Sequence, residues 1–183
     1  MKILIAYFSR AGDNYVGGRI VNLRVGNTEV AAHMIQKLTG GATFRIDTVN
    51  KYPAGYNETT EVAQQELRQD TRPELTGHVD NMGDYSVILL GYPNWWGTMP
   101  MAVYSFLEEY DFSGKTIVPF CTHEGSGMGR SGGDIKKLCP SARVSQGLAI
   151  RGGDVQRAEH DISEWLKASG AMDEQYQAGS SLE

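Results

Sequence analysis

Three short segments of the chain combine hydroxyl, amide and aromatic side chains that could bind a small molecule. In the first segment, Ser9 and Arg10 follow an apolar run, and Gly26, Asn27 and Thr28 lead into a helical pattern. Side-chain donors and the free N–H groups of a helix N-terminus bind phosphate well when they lie together. The segment therefore predicts a site for a phosphate monoester, and the alternative is that Asn27 or Thr28 only caps the helix.

The second segment, residues 91–100, contains two adjacent tryptophans, Trp95 and Trp96. Neighbouring side chains in such a loop point in different directions, so at least one indole should face the surface or a ligand. A planar heterocycle stacked on an indole would gain on the order of 1 kcal/mol beyond simple burial. We expect Trp96 to lie closer to such a ring and Trp95 to face outward. The alternative is that one of the two tryptophans is an exposed packing lid or contacts a partner protein.

The third segment, residues 122–131, is rich in glycine and follows another apolar run. Its glycines reproduce the pattern Gly-x-Gly-x-x-Gly, but the dinucleotide-binding form of that pattern belongs after a first strand and needs an acidic residue at the end of the next one. We interpret the segment as backbone that approaches the polar edge of a flat ring. His123 and Glu124 are candidates for a role beside that ring, and a structural role for the histidine is the alternative.

Several other chemistries are excluded by residue type. A receiver domain would need acidic residues after the first strand, where the chain has Ser9 and Arg10. A small tyrosine-phosphatase loop needs an arginine six positions after its cysteine, whereas Cys121 is followed there by Gly127. No set of His, Cys and carboxylate residues has a metal-ligand spacing, so we expect no metal.

Composition and charge narrow the class of protein. The 183 residues include 17 Lys and Arg against 22 Asp and Glu, a net charge of −5 that argues against nucleic acid or a membrane surface as partner. No uncharged apolar stretch approaches the ~20 residues that a membrane-spanning helix needs, and no signal peptide is evident. We expect a cytoplasmic protein with one domain at 1–170. We expect the C-terminal tail at 171–183 to be disordered or partly contributed by an expression vector.

The elements that must position these segments follow from apolar patterning. Nearly continuous apolar runs predict strands at 2–8, 87–92 and 115–121, and weaker runs suggest strands at 43–48 and 142–148. Helical spacing appears at 30–38, 57–69, 100–107 and 155–166, with Gly40 and Gly170 as stops and Asp154 as the cap of the last helix. Strands that alternate with helices predict a doubly wound α/β domain with its ligand at the carboxyl ends of the strands.

The motifs together resemble the flavodoxin-like family, in particular its bacterial single-domain flavoproteins, over about residues 1–170. The resemblance implies a five-stranded parallel sheet of order 2-1-3-4-5 and one FMN at its carboxyl edge. It also implies that the phosphate is held by Ser9, Asn27 and Thr28, with backbone from Gly26 and Val30. The residues implied on the two sides of the flavin ring are Pro93, Asn94, Trp95, Trp96 and Gly97 on one side and Thr122, His123, Glu124, Gly125 and Ser126 on the other.

One segment departs from the family pattern. The phosphate loop of flavodoxins is compact, whereas residues 13–25 separate the two halves of this one. With Arg10, Arg19 and Arg24, the insertion could supply a cation to the phosphate or bulge into solvent, and we favour the solvent-exposed interpretation.

The resemblance implies an FMN oxidoreductase that takes electrons from NADH, NADPH or a reductase and passes them to a quinone-like or protein acceptor. The alternative is an electron carrier without a substrate of its own, and a scaffold that binds no flavin is a third hypothesis. The first two differ in whether an open pocket remains beside the ring. That depends on how Trp95, Trp96, Tyr56 and the insertion fold over the flavin.

Overall fold

Strands and helices alternate along most of the chain, and the computed structural model describes residues 1–172. The elements in chain order are β1 (Ile3–Tyr7), β2 (Gly12–Val16), β3 (Arg19–Leu23), α1 (Asn27–Thr39), β4 (Ala42–Arg45), α2 (Tyr56–Arg68), β5 (Val87–Pro93), α3 (Met101–Glu109), β6 (Thr116–His123), α4 (Ser131–Leu138), β7 (Arg143–Val144), β8 (Leu148–Arg151) and α5 (Glu159–Ala168). Two 3-10 helices, Met82–Asp84 and Gly152–Arg157, complete the described part of the chain.

The main sheet has the order β4-β1-β5-β6-β7, and all its pairings are parallel. The strand β8 pairs with β6 beyond the end of the two-residue β7, so β7 and β8 together fill the fifth position. The order 2-1-3-4-5 implied by the resemblance is thereby confirmed. Such a sheet places the loops after β1, β5 and β6 at one edge.

The prediction of one strand at 142–148 was wrong in detail because β6 contains Pro119. Ser145 donates its N–H to the carbonyl of Ile117, which shows that odd-numbered residues of β6 face this edge. Pro119 has no N–H to give there, so the ladder is interrupted opposite it. The chain leaves the sheet after Val144 and pairs again from Leu148.

Two apolar cores lie on opposite faces of the main sheet because neighbouring strand residues point to opposite sides. On one face, Ile5 and Tyr7 of β1 belong to a core with residues of α1 and α5. On the other face, Leu4 and Ala6 belong to a core with residues of α3 and α4. The strands are therefore covered on both sides, as their apolar runs predict.

Helix ends agree with the sequence patterns at α1 and α2. Gly40 follows α1 with a φ of 67°, and its N–H donates to the carbonyl of Gln36. The helix α2 lies within one residue of the predicted 57–69. Left-handed glycine is a common C-terminal cap, and it stops α1 before β4.

The predicted start of the last helix was wrong. Asp154 lies in the 3-10 helix, and α5 begins only at Glu159. Val155 and Ala158 are nevertheless buried, so the tighter 3-10 helix continues the apolar face of α5. The apolar spacing therefore could not separate the two kinds of helix.

The insertion at 13–25 forms a β-hairpin in which β2 and β3 pair antiparallel. Its turn residues Gly17 and Gly18 have φ angles of 61° and 87°, which is the geometry that Gly-Gly hairpin turns favour. The solvent-exposed interpretation holds for Arg19, Ile20 and Arg24, which are exposed. The other side of the hairpin faces a cavity, as described below.

The last described residues pack against the core. Ala171 is buried, and its N–H donates to the carbonyl of Leu166 at 3.1 Å. The remainder of the predicted tail, 173–183, lies outside the described residues. Within 1–172, no helix combines the length and the apolar character needed to cross a bilayer.

Candidate functional site

One cavity of about 410 Å³ opens at the carboxyl ends of β1, β5 and β6, where the three segments meet. The predicted site residues that line it are Ser9, Arg10, Asn27, Thr28, Pro93, Asn94, Trp95, Trp96, Thr122, His123, Glu124 and Ser126. The predicted residues outside the lining are Gly26, Val30, Gly97 and Gly125. The cavity has a polar end at the start of α1 and an aromatic end at the loop after β5.

The polar end consists of Ser9, Asn27, Thr28 and Thr122. The hydroxyl oxygen of Ser9 accepts a hydrogen bond from the N–H of Glu29 at 3.1 Å, so its own proton can be donated elsewhere. The buried hydroxyls of Thr28 and Thr122 lie 2.8 Å apart. Because one of them donates to the other, the pair keeps one O–H for a ligand.

The first turn of α1 adds backbone donors to the polar end. The carbonyl of Gly26 accepts the N–H of Val30 at 3.1 Å, so the backbone N–H of Val30 is engaged within the helix. Among residues 1–172, the N–H groups of Asn27 and Thr28 have no acceptor. Free N–H groups at the positive end of a helix dipole attract an anion.

Gly26 contributes close packing rather than a contact with the cavity. A Cβ at this position would collide with the hydroxyl of Ser9 and with the carbonyl of Arg10. The loop after β1 can therefore approach the start of α1 because residue 26 has no side chain.

Arg10 lines the cavity, but its guanidinium is held by backbone carbonyls. One terminal nitrogen donates to Pro53 and Ala54, both at 2.8 Å, and the other donates to Asp13. Burial lowers the pKa of Arg10, and the carboxylate of Asp13 opposes that shift. Arg10 thus connects its own loop to the start of β2 and to residues 53–54. These contacts do not mark it as a free cation for the phosphate.

The loop after β5 makes a tight turn closed by two hydrogen bonds between Trp95 and Thr98, at 2.9 and 3.2 Å. Both central residues have positive φ angles, 53° at Trp96 and 83° at Gly97. This is the type I′ geometry, and for a bulky residue it costs about 1–3 kcal/mol. Strain of this kind clusters at functional sites, which draws attention to Trp96.

Both tryptophans line the cavity, but they differ in burial, and the outward orientation predicted for Trp95 was wrong. Its ring packs edge-on against Phe8 and Tyr52, with ring centres 5.2 and 5.1 Å away. Trp96 is 48% exposed, and its Nε1–H donates to the carbonyl of Thr60 on α2 at 2.9 Å. Trp95 therefore supports the turn from the core, while Trp96 remains free to stack on a ligand.

The turn is tied to the glycine-rich loop after β6. The amide of Asn94 accepts the N–H of Gly97 at 3.0 Å and donates to the carbonyl of Gly127 at 2.8 Å. The N–H of Arg130 donates to the carbonyl of Gly97 at 2.8 Å. A Cβ at Gly129 would collide with that same carbonyl. We predicted that the backbone of this loop closely approaches a ligand ring. At Gly129 it closely approaches the turn at Gly97 instead.

A carboxylate on α4 holds the far side of this turn. Oδ2 of Asp134 accepts hydrogen bonds from the hydroxyls of Thr98 and Tyr104, both at 2.6 Å, and lies 3.3 Å from Nε of Arg130. Burial acts to raise the pKa of Asp134, but these hydroxyls and the nearby cation lower it below its usual value. Burial and the Asp134 carboxylate raise the pKa of Tyr104 to about 12.

His123 lies at the end of β6, where its surroundings favour the neutral ring. Burial and the positive charge of Arg151 lower its pKa below 6.5. Its Nδ1 accepts the N–H of Gly125 at 2.9 Å, so the ring proton is on Nε2. Oε2 of the neighbouring Glu124 accepts the N–H of Gly17 at 2.9 Å and so joins this loop to the tip of the hairpin.

The sequence did not predict that the hairpin and α2 line the cavity. The lining residues that it did not assign as site residues are Asn14, Tyr15, Tyr56, Thr59, Thr60, Ala63 and Gly152. The rings of Tyr15 on β2 and Tyr56 on α2 stack with their centres 6.0 Å apart. The pair Gly17-Gly18 between alternating residues is a hairpin signal, but it does not indicate which way the hairpin folds.

The donor set fits a phosphate monoester at one end of the cavity, and Trp96 fits a planar ring at the other. Among residues 1–172, no group of three or more His, Cys, Asp or Glu side chains could hold a metal ion. The family model described as Flavodoxin matches residues 2–169. The chain belongs to the flavodoxin family. In this family fold the cavity lies where doubly wound sheets place their ligands.

Solved structures agree with the family. A candidate flavoprotein from Bacteroides eggerthii DSM 20697 is 29% identical over 94% of this chain and 99% of its own, with a TM-score of 0.76. A flavoprotein from Lactobacillus acidophilus NCFM in complex with FMN is 18% identical over 85% and 97%, with a TM-score of 0.61. Oxidised flavodoxin 2 from Bacillus cereus is 19% identical over 93% and 99%, with a TM-score of 0.53. The last two are alike in fold alone, and no curated protein matches the chain significantly.

Proposed function

We propose that the protein binds one FMN in this cavity and works as a flavin-dependent oxidoreductase. The observation that carries the proposal is that free N–H and O–H donors lie at one end of a single cavity and Trp96, on its strained turn, lies at the other. The bound flavin would accept and release electrons, and the protein's part is to hold and orient it.

The polar end would hold the phosphate. The N–H groups of Asn27 and Thr28, the hydroxyl proton of Ser9 and one proton of the Thr28 and Thr122 pair are available there. Each hydrogen bond to a charged group contributes roughly 1.5–3 kcal/mol, so this end should account for most of the preference for FMN over riboflavin.

The aromatic end would hold the ring. The hydrogen bond between Trp96 Nε1 and Thr60 fixes the indole across the gap between the turn and α2. Stacking on this indole favours the neutral ring over an electron-rich one, and the net charge of −5 acts in the same direction. We therefore expect the protein to lower the potential at which the flavin takes up its second electron.

The electron donor in this proposal is NADH, NADPH or a reductase, and the acceptor is quinone-like or a protein. A small-molecule substrate is supported by the side of the cavity that the hairpin and α2 form, where Tyr15 and Tyr56 stack on each other. The residues on this side of the cavity are not among those that the resemblance assigns to the flavin. This side gives a planar acceptor a surface of its own.

Two measurements on the purified protein test the proposal. Titration followed by flavin fluorescence should give one FMN per chain, with riboflavin bound more weakly. Steady-state oxidation of NADH and NADPH with a small quinone should then depend on added FMN. Failure to bind any flavin contradicts the proposal as a whole. FMN binding without turnover, together with electron exchange with a reductase, would indicate the electron-carrier function.

A further inference from the structure

Two stacked tyrosines, Tyr15 on β2 and Tyr56 on α2, line the cavity on the side where the hairpin meets α2. Their ring centres are 6.0 Å apart, with an angle of 30° between the rings. Tyr15 is 43% exposed, and Tyr56 is half-buried. This tyrosine pair gives the cavity an aromatic surface in addition to its tryptophans, and half of it belongs to the insertion that departs from the family pattern.

The hydroxyls of the tyrosine pair are free to bind a ligand. Within residues 1–172, no hydrogen bond engages the hydroxyl of Tyr15 or that of Tyr56. Burial raises the pKa of Tyr56, and Tyr15 and the carboxylate of Glu124 raise it further, so this phenol remains a donor at neutral pH. The pair thus combines aromatic faces with two O–H donors, which suits a flat ring that carries carbonyl oxygens at its edge.

The charge beside the pair limits the ligand further. Glu124 lines the same cavity, and its Oε1 is buried without a hydrogen-bond partner in the described part of the chain. Its Oε2 accepts the N–H of Gly17 at 2.9 Å, which holds the carboxylate against the hairpin that carries Tyr15. A carboxylate repels an anionic ligand, and the electron-rich faces of tyrosine favour an electron-poor ring. The surroundings therefore favour a neutral, electron-poor ring.

Arg10 fixes the hairpin relative to the start of α2. Its guanidinium donates to the carbonyl of Asp13 in β2 and to the carbonyls of Pro53 and Ala54 just before α2. Its own carbonyl accepts the side-chain amide of Asn14 at 3.0 Å. A second cavity, of about 440 Å³, borders the guanidinium, so open space and not packed side chains lies beside these contacts. The geometry of the tyrosine pair therefore depends on Arg10.

From this geometry we infer that the tyrosine pair binds the electron acceptor and that this acceptor is a neutral quinone. The inference rests on the proposed function and names its acceptor. A quinone is a flat, electron-poor ring with carbonyl oxygens at its edge, so the ring can stack on the pair and the oxygens can accept the phenol protons. Arg10 is a positioning residue in this arrangement, because it acts through the pair.

The test uses protein that has been loaded with FMN and reduced with stoichiometric dithionite, so it does not depend on the identity of the natural electron donor. Stopped-flow reoxidation by 1,4-naphthoquinone gives the quinone concentration at half-saturation. In this step the quinone gains two electrons and two protons and leaves as the hydroquinone, while the flavin returns to its oxidised form. Ferricyanide, which is not a flat ring and takes one electron at a time, is the control acceptor.

The tyrosine and arginine variants should impair the quinone alone. Tyr15→Phe and Tyr56→Phe each remove a hydroxyl and keep the ring, and each should raise the half-saturating concentration of the quinone about fivefold. Arg10→Lys keeps the charge but cannot reach the three carbonyls together, and it should raise this concentration about tenfold. The matched control Arg24→Lys, at an exposed arginine of the same insertion, should leave it unchanged. Reoxidation by ferricyanide and the affinity for FMN should stay the same in all four variants.

The role of charge is tested with 1,4-naphthoquinone-2-sulfonate, an anionic quinone. Glu124→Gln should lower the half-saturating concentration of the sulfonate about threefold relative to that of the neutral quinone, because the repelling charge is removed. An equal change for both quinones would overturn the preference for a neutral acceptor.

The outcomes separate this inference from the proposed function. FMN uptake with unchanged quinone half-saturation in both tyrosine variants, or with equal losses for quinone and ferricyanide, would overturn the inference alone. If Arg10→Lys weakens FMN and spares riboflavin, Arg10 binds the phosphate and is not a positioning residue. A wild type that takes up no FMN would overturn the proposed function together with the inference.

Discussion

The two ends of the cavity are held in place by different parts of the structure. At the polar end, Asn27 and Thr28 are the first residues of α1, and the N–H groups on offer follow from the helix start itself. At the aromatic end, Trp96 depends on contacts from α2, α4 and the loop after β6. The polar end thus combines the free N–H groups of a helix start with nearby hydroxyls, whereas the position of Trp96 at the aromatic end depends on contacts between distant segments. Substitutions should affect FMN alone at the first end and all flavins at the second.

The largest expected effect separates the two tryptophans. Trp95→Ala removes an indole packed on Phe8 and Tyr52, and it should lower the free energy of unfolding by about 3 kcal/mol. Trp96→Gly removes a half-exposed indole and relieves a positive φ, so its stability should match or exceed the wild type by about 1 kcal/mol. It should still weaken both FMN and riboflavin. Urea unfolding and flavin titration measure these effects, and equal destabilisation by the two variants would contradict the assigned orientations.

A double substitution tests the polar end. Asn27→Ala combined with Thr28→Ala should weaken FMN by about 2–3 kcal/mol because hydrogen bonds to a charged phosphate are lost. Riboflavin should bind almost as before. Loss of Thr28 also leaves the buried hydroxyl of Thr122 without its partner, but this costs folding stability and is the same whichever ligand is titrated. The ratio of the two affinities therefore isolates the phosphate, and an equal loss for both ligands would mean that the residues only cap α1.

A substitution at Asp134 tests the aromatic end. Asp134→Ala should destabilise the protein by about 2 kcal/mol, since the buried hydroxyls of Thr98 and Tyr104 lose their acceptor. It should weaken FMN and riboflavin by the same factor because the turn that carries Trp96 is released. Asp154→Ala, in an exposed ion pair with Arg157, is the control and should change stability by less than about 0.5 kcal/mol. A loss confined to FMN would show that the two ends are not independent.

The smallest expected effect is a pH dependence from His123. Its pKa is lowered in the folded chain, so the unfolded chain binds the proton more readily. The contribution of His123 to the free energy of unfolding should therefore be fully present above pH 6.5, the pKa of this histidine in the unfolded chain. It should be lost as the pH falls through 6.5 toward the lower pKa of the folded chain. His123→Gln should reduce this fall in urea unfolding measured between pH 7.5 and 5.5. An unchanged pH profile would assign the dependence to other groups.

The difference between local patterns and contacts of distant segments also explains how much of the fold and the site could be predicted from the sequence. The apolar runs of β1, β5 and β6 identify buried parallel strands, and the loops that follow them supply most of the lining. The sheet order came from the resemblance to the flavodoxin-like family and not from these runs. The orientation of Trp95 could not, because Phe8 and Tyr52 surround it only in the folded chain. The position of the hairpin depends on the contact between Gly17 and Glu124, which leaves no local pattern.

The most direct test of the central claim is a titration of ¹⁵N-labelled protein with FMN and with riboflavin, followed by NMR. If one cavity holds phosphate at α1 and the ring at the turn, the indole Nε1–H of Trp96 shifts with both ligands. The amide signals of Asn27 and Thr28 then shift with FMN only. The account is contradicted if these amides respond equally to both ligands, or if neither flavin moves the Trp96 signal.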